Sequence, residues 1–284
     1  MTVARAEWLA GGSRMEVPGS RHTLFVRHDG PADGSPVTLL HGFPTSSHDW
    51  ADVLPYLTEA GLRVTTVDFL GYGDSDKPHP YDYRLQEQAD LVQAIWTQEG
   101  TGPTALVAHD YGVSVAQELL ARDAKRITSI AWLNGGLFPD LHRPTSGQKL
   151  LRGRFGPLVA RLFNEQRFAA ALREILGRPV ADETLHEMWL SMSARKGVRT
   201  SPRMLRYMDE RREYADRWRA AIADYAGPQL FVWGPADPVS GAHVVPRIRE
   251  VAPDAEVEVL EGVGHYPQVE APELVGPLLA RFVS

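Results

Sequence analysis

Apolar positions along the 284-residue chain fall into two regimes. In the first, short Val-, Leu- and Ile-rich runs alternate with stretches of helical spacing. The runs are VTLLHG (37–42), RVTTVDFLG (63–71), TALVAHD (104–110), ITSIAWLNGG (127–136), QLFVWG (229–234) and EVEVLEG (256–262). Most lack a clean two-residue alternation, as expected of strands covered on both faces, so the pattern predicts a mostly parallel sheet flanked by helices. Two earlier segments, SRMEVPG and HTLFVRH, predict an antiparallel hairpin at the sheet edge. In the second regime, from 140 to 225, strand signals stop. Apolar residues recur there every three or four positions, as at Leu150, Leu151, Phe155, Leu158 and Leu162, and then Leu185, Met188, Trp189 and Met192. The expected organisation is a core of residues 1–139 and 226–284, interrupted by an all-helical insertion over 140–225.

Composition adds limits rather than a function. A hydrophobic content of 43% suits one sizeable core. Formal charge is −6, but its distribution is uneven: residues 140–225 carry 17 Lys or Arg against 11 Asp or Glu, and the remainder carries the opposite excess. This sets the insertion apart as a unit, and the net charge gives no reason to expect nucleic acid as a partner. Without cysteine, neither disulfides nor thiolate metal sites form. No targeting segment or membrane span is read, so a cytoplasmic protein without membrane contact is expected, with a homodimer left open.

Candidate chemistry begins at Ala108-His109-Asp110-Tyr111-Gly112, where a strand pattern meets a helix pattern. Small residues two before and two after Asp110 match the steric layout of a nucleophile elbow, a strained turn that projects one side chain at a helix N-terminus. The plainer alternative is a helix-capping Asp. Downstream, VWGPADPVSG places Asp237 just past one strand and LEGVGHYPQVE places His265 just past the next, giving the chain order nucleophile, acid, histidine. The loop LLHGFPTSSHDW supplies a backbone N–H at Phe43 that pairs with that of Tyr111 as an oxyanion hole.

An aspartate in the elbow favours a particular chemistry. Attack by serine on an epoxide or alkyl halide leaves an ether, which activated water does not readily cleave. Attack by a carboxylate leaves an ester that His265-activated water hydrolyses at the Asp110 carbonyl, with Asp237 holding the imidazole. No GxSxG motif occurs in the chain.

The segments HGFP, GYGDSDKP, HDYG, DPV and GHYPQVE resemble the α/β-hydrolase family over essentially the whole chain. The aspartate elbow resembles its epoxide hydrolase and haloalkane dehalogenase branch. HDYGVSVAQELL, NGGLFPDLHRP and GHYPQVEAP are similar to a group within it, the mesoderm-specific transcript proteins. The resemblance implies an α/β-hydrolase fold, a mostly parallel eight-stranded sheet with a helical lid, acting on a small-molecule epoxide and water without cofactor or metal. It also implies a proton donor on the lid. Tyr207, in a helix opened by Ser201 and Pro202, fills that place, although it also belongs to a Met204, Tyr207, Arg211, Tyr214, Trp218 packing stripe. A second lid tyrosine, usual in the family, is missing between 140 and 200, and His142 and Tyr214 are the candidates to replace it. Dehalogenases typically show Asn where Phe43 stands, and both branches show Trp where Tyr111 stands, so hydrolytic dehalogenation is the runner-up. A binding or signalling module with an idle triad is a third reading. Trp50 is a candidate pocket residue, His41 a member of a polar network under the oxyanion loop, and His109 is expected to point away from Asp110. Asn134 occupies an alternative site for the family's acid.

Overall fold

The computed structural model describes residues 3–284. Eight strands form one sheet: β1 (Gly12–Glu16), β2 (Thr23–Asp29), β3 (Pro36–Leu40), β4 (Arg63–Val67), β5 (Thr104–Asp110), β6 (Ile127–Gly135), β7 (Gln229–Trp233) and β8 (Glu256–Val259). Their spatial order is β1-β2-β4-β3-β5-β6-β7-β8. The first hairpin pairs antiparallel, β2 joins β4 antiparallel, and every later pairing is parallel.

The sheet is covered on both faces, and the inner strands divide their side chains with period two. Leu106 and Ala108 of β5, Trp132 of β6 and Phe231 of β7 join one core. Ala105 and Val107, Leu133, and Val232 join the other, along with Trp8, Leu39, Leu57 and Leu279. Because both cores are apolar, the sequence shows continuous runs where the structure shows alternation.

Between β6 and β7 the chain forms only helical segments, from Ser146 to Ala223, and no strand. These pack partly on the first core through Met204, Leu205, Tyr207, Trp218 and Ile222. A further cluster of Phe168, Leu172, Leu185, Met188 and Met192 closes around Tyr266. Of the apolar stripe at 150–162, however, only Leu151 is buried; Leu150, Phe155, Leu158 and Leu162 face solvent. Helical spacing identifies which residues share a face, not which way that face points. Among the described residues no helix is long and apolar enough to cross a membrane.

Candidate active site

The carboxyl ends of the parallel strands β3, β5, β6, β7 and β8 deliver one chemical group each: Phe43, Asp110, Asn134, Asp237 and His265. Because β5 lies between β3 and β6 in the sheet, with Leu40 opposite Ala108 and Gly135 opposite Asp110, the Phe43 loop and the Asp110 turn are neighbours.

Asp110 ends β5 with φ 43° and ψ −102°, a left-handed conformation that a side-chain-bearing residue adopts only under constraint. The helix Tyr111–Arg122 starts at once. Gly112 is what permits the sharp junction: its N–H donates to the carbonyl of His41 at 3.0 Å, and a Cβ there would lie 2.4 Å from the Leu40 carbonyl oxygen. Asp110 makes no side-chain capping bond to its helix. Instead its Oδ2 accepts from the Phe43 N–H at 3.0 Å. The Tyr111 N–H, at the first helical position, has no intrahelical acceptor.

The other carboxylate oxygen, Oδ1, faces two cations. Nε2 of His265 is 4.0 Å away, longer than a hydrogen bond, and Nη2 of Arg211 is 3.5 Å away. Burial alone would raise the Asp110 pKa, but the charges of His265 and Arg211 outweigh it and hold this carboxyl below the usual range. The opposite edge of His265 is fixed: Nδ1 donates to Oδ2 of Asp237 at 2.7 Å. Burial disfavours the imidazolium, yet Asp237 and Asp110 reverse that and raise His265 to about 9. Asp237 is itself buried, but His265 and further donors lower it to about 2. Those donors are Val239 N–H at 2.7 Å on Oδ1, and Ser240 Oγ at 2.8 Å and Asn134 Nδ2 at 3.1 Å on Oδ2.

The loop under this array is held by neutral histidines. His41 donates Nδ1 to the Gly42 carbonyl at 2.8 Å and accepts the Phe69 N–H on Nε2 at 3.1 Å, the polar network expected of it. His109 turns from Asp110 and donates Nε2 to the His265 carbonyl at 2.7 Å, while burial depresses it to about 3. Tyr266 Oη donates to the Phe43 carbonyl at 3.0 Å, so the N–H of Phe43 is aimed from its other side.

The helix Tyr207–Glu213 closes over Asp110. Tyr207 is buried between the rings of Phe43 and Tyr111, with centroids 6.1 Å and 5.4 Å away, and its hydroxyl lacks a hydrogen bond of good geometry. Burial raises its pKa further above the ordinary phenol value. One turn on, the buried Arg211 places its guanidinium 4.3 Å from the Tyr207 ring centre. It donates Nε to Ser114 Oγ at 2.7 Å and Nη2 to the Asp110 carbonyl at 2.9 Å, which pins the strained elbow; its Nη1 has no acceptor. Gly136 makes room for it, since a Cβ there would lie 2.2 Å from Nη1. Sequence periodicity absorbed Arg211 into a packing stripe. The available signal was a cation among apolar teeth, which needs a buried partner.

Three secondary candidates separate. His142 comes to the site: both ring nitrogens are buried without partners, and burial with the nearby Arg211 charge lowers it to about 4, so it is neutral at pH 7. Tyr214 does not. It ends its helix half-buried against Trp218 and beside Glu213, where the helix has turned outward. Trp50 belongs to the core on the other sheet face, with Leu39, Val53 and Val107, and lines no site beside Asp110. Among the described residues no group of His, Cys, Asp and Glu is arranged to hold a metal ion.

This fold and this arrangement of strand-end loops have known counterparts. The model of the alpha/beta hydrolase fold matches residues 35–272, and the chain belongs to that family. It is 39% identical over 274 residues to the Mycobacterium tuberculosis protein named "Putative hydrolase LipZ", covering 94% of this chain and 93% of that one. It is 37% identical over 289 residues to the human mesoderm-specific transcript homolog protein, covering 96% and 85% respectively. A crystal structure of the haloalkane dehalogenase DbeA from Bradyrhizobium elkani superposes with a TM-score of 0.81 at 23% identity, covering 96% and 97%.

Proposed function

We propose that this α/β-hydrolase opens epoxides to vicinal diols through an ester on Asp110, with the helical segment 140–225 as the lid over the substrate. The observation that carries the reading is the division of labour within one carboxylate: Oδ2 rests on the Phe43 N–H while Oδ1 faces His265, Arg211 and the underside of the Tyr207 helix. Oδ1 attacks an epoxide carbon, the C–O bond breaks, and the departing oxygen takes the proton of Tyr207. His265 starts protonated, because Asp110 and Asp237 are both anionic. Ester formation removes the Asp110 charge, so the His265 pKa falls and its proton passes to the tyrosinate. The neutral imidazole then takes a proton from water as the water oxygen attacks Cγ of Asp110. Oδ2 becomes the oxyanion, already seated on the Phe43 N–H, with the Tyr111 N–H proposed as the second donor. Collapse expels the diol oxygen with the second water proton and restores the Asp110 carboxylate and the imidazolium. His142 and the free Nη1 of Arg211 are the polar groups available beside Tyr207 in place of a second tyrosine.

For halide release, Phe43 and Tyr111 stand where N–H donors to a diffuse anion are wanted, which supports the epoxide reading over dehalogenation. The test is the intact mass of His265→Gln after incubation with a panel of epoxides and alkyl halides, with Asp110→Ala as control. An Asp110-dependent adduct equal to a full epoxide mass is expected. An adduct of a halide less hydrogen halide overturns the reading in favour of dehalogenation. A folded variant with no adduct across the panel overturns it in favour of a non-catalytic binding role.

A further inference from the structure

The helix Ser146–Arg152 buries Leu151 but turns Leu150 outward, and the helix Gly156–Arg161 is packed with its apolar stripe outward. On the second, Gly156 and Ala160 point into the protein, while Phe155, Leu158 and Leu162, related by three- and four-residue steps, form the opposite face. With Leu150 these side chains are between 56% and 60% exposed. Among the described residues, the other large apolar side chains that are exposed rather than part-buried, Leu190 and Leu274, lie far from this stretch in sequence and are less exposed. Four such residues fall within thirteen positions, a concentration unlike singly scattered surface leucines.

Charge identifies what fits it. From 141 to 164 there is no acidic residue, and Arg143, Lys149, Arg152, Arg154 and Arg161 are all present. Arg154 lies 4.6 Å from the centre of the Phe155 ring, so a cation and an aromatic ring are offered together. Arg152 is paired with Asp209, itself half exposed at the rim. Two copies joined symmetrically through this face would bring Lys149, Arg154 and Arg161 of one against the same three of the other, which opposes a dimer formed here. Leucine and phenylalanine projecting between arginines is instead the make-up of segments that lie in the plane of a bilayer surface, with apolar groups among the acyl chains and cations among anionic headgroups.

We propose that residues 146–162 form a peripheral docking face for anionic lipid bilayers, which seats the lid of the enzyme on the membrane surface. Attachment is reversible and salt-sensitive, since each helix is short and carries few inserting side chains. This departs from the expectation of no membrane contact, which rested on the lack of a targeting or membrane-spanning segment; peripheral docking needs neither and depends on one face.

The test is co-sedimentation of the full chain with vesicles of phosphatidylcholine alone and of phosphatidylcholine mixed equally with phosphatidylglycerol. Binding to the mixed vesicles is expected at low salt, at least tenfold above the neutral ones, and is lost at high salt. Phe155→Ser with Leu158→Ser should abolish it while leaving the melting temperature and the activity on water-soluble substrates unchanged. Neutralising Arg154 and Arg161 with Gln should weaken it by about fivefold per charge. A Leu158→Trp probe should shift its emission to the blue only with the mixed vesicles. Absence of binding to the mixed vesicles, or binding that survives the double serine variant, overturns the proposal. A solution dimer that the serine variant dissolves also overturns it, by assigning the face to a second copy of the chain.

Discussion

Asn134 donates its side-chain amide to the same Asp237 oxygen that receives His265, at 3.1 Å, while its own Oδ1 accepts the Gly234 N–H at 2.6 Å. The end of β6 and the end of β7 are thereby tied together, and the acid has one seat. Asn134→Asp would set a second carboxylate against Asp237 in a buried site, so one of the two must bind a proton or repel the other. The expected result is a fall of ten- to a hundredfold in turnover near neutral pH, partly recovered in Asn134→Asp/Asp237→Asn, where a single carboxylate remains. Pre-steady-state kinetics should place the loss in ester hydrolysis rather than ester formation. Equal loss in both steps would mean that Asn134 acts through the fold alone.

Tyr207→Phe keeps the ring contacts with Phe43 and Tyr111 and removes only a hydroxyl that lies against Arg211 without a hydrogen bond of good geometry. The melting temperature should therefore be unchanged or slightly higher, because a buried unsatisfied polar group is gone. Epoxide opening should slow by a factor on the order of a hundred, the usual contribution of a general acid. Undiminished opening would transfer the donor role to His142 or Arg211.

Arg211 offsets the cost of ionising Asp110 in a buried site. Replacing it with Met in the His265→Gln background leaves the carboxyl without a facing cation, so its pKa rises. The rate of adduct formation, followed by mass against pH, should then lose its acid limb about one to three units higher than with Arg211 present. Rates well above that limb should converge. A uniform deficit at every pH would show that Arg211 serves only to pin the elbow through the Asp110 carbonyl.

Stability should carry the signature of three groups. His265 is raised from 6.5 to about 9, so its contribution is full below pH 6.5 and is lost as pH rises through about 9. Asp237 is lowered from 3.8 to about 2, so its contribution holds above 3.8 and is lost as pH falls through about 2. Lys77 acts in the opposite sense: burial lowers it from 10.5 to about 7, so the unfolded chain binds more protons in that window and stability rises with pH there. The melting difference between wild type and His265→Gln should shrink from pH 6.5 to 9. Lys77→Gln should lose the rising component between 7 and 10.5. Parallel melting profiles would contradict both assignments.

The strand ends were legible in the sequence because backbone demands mark them. Ala108 and Gly112 bracket Asp110, Pro238 follows Asp237, and Gly264 precedes His265, so loop chemistry and chain order together pointed to the site. What escaped was whatever depends on the partner of a helix face. Arg211 and Leu158 both sat in regular three-and-four patterns, yet one is buried beside Asp110 and the other faces solvent. Periodicity fixes neighbours along a helix but not the surface it meets. Trp50 illustrates the same limit, since its burial was foreseeable and the side of the sheet was not.

Arg211 comes from a helix 101 residues beyond the turn it stabilises, and Gly136 leaves the space it occupies. The segment over the sheet is thus part of the electrical circuit of the core, not an interchangeable cover. Chimeras that exchange this segment with another family member should inherit a working elbow only when the incoming helix brings an arginine in register and the core keeps its glycine. Under the proposed mechanism, exchanging this segment to change substrate range would therefore also alter the environment of Asp110.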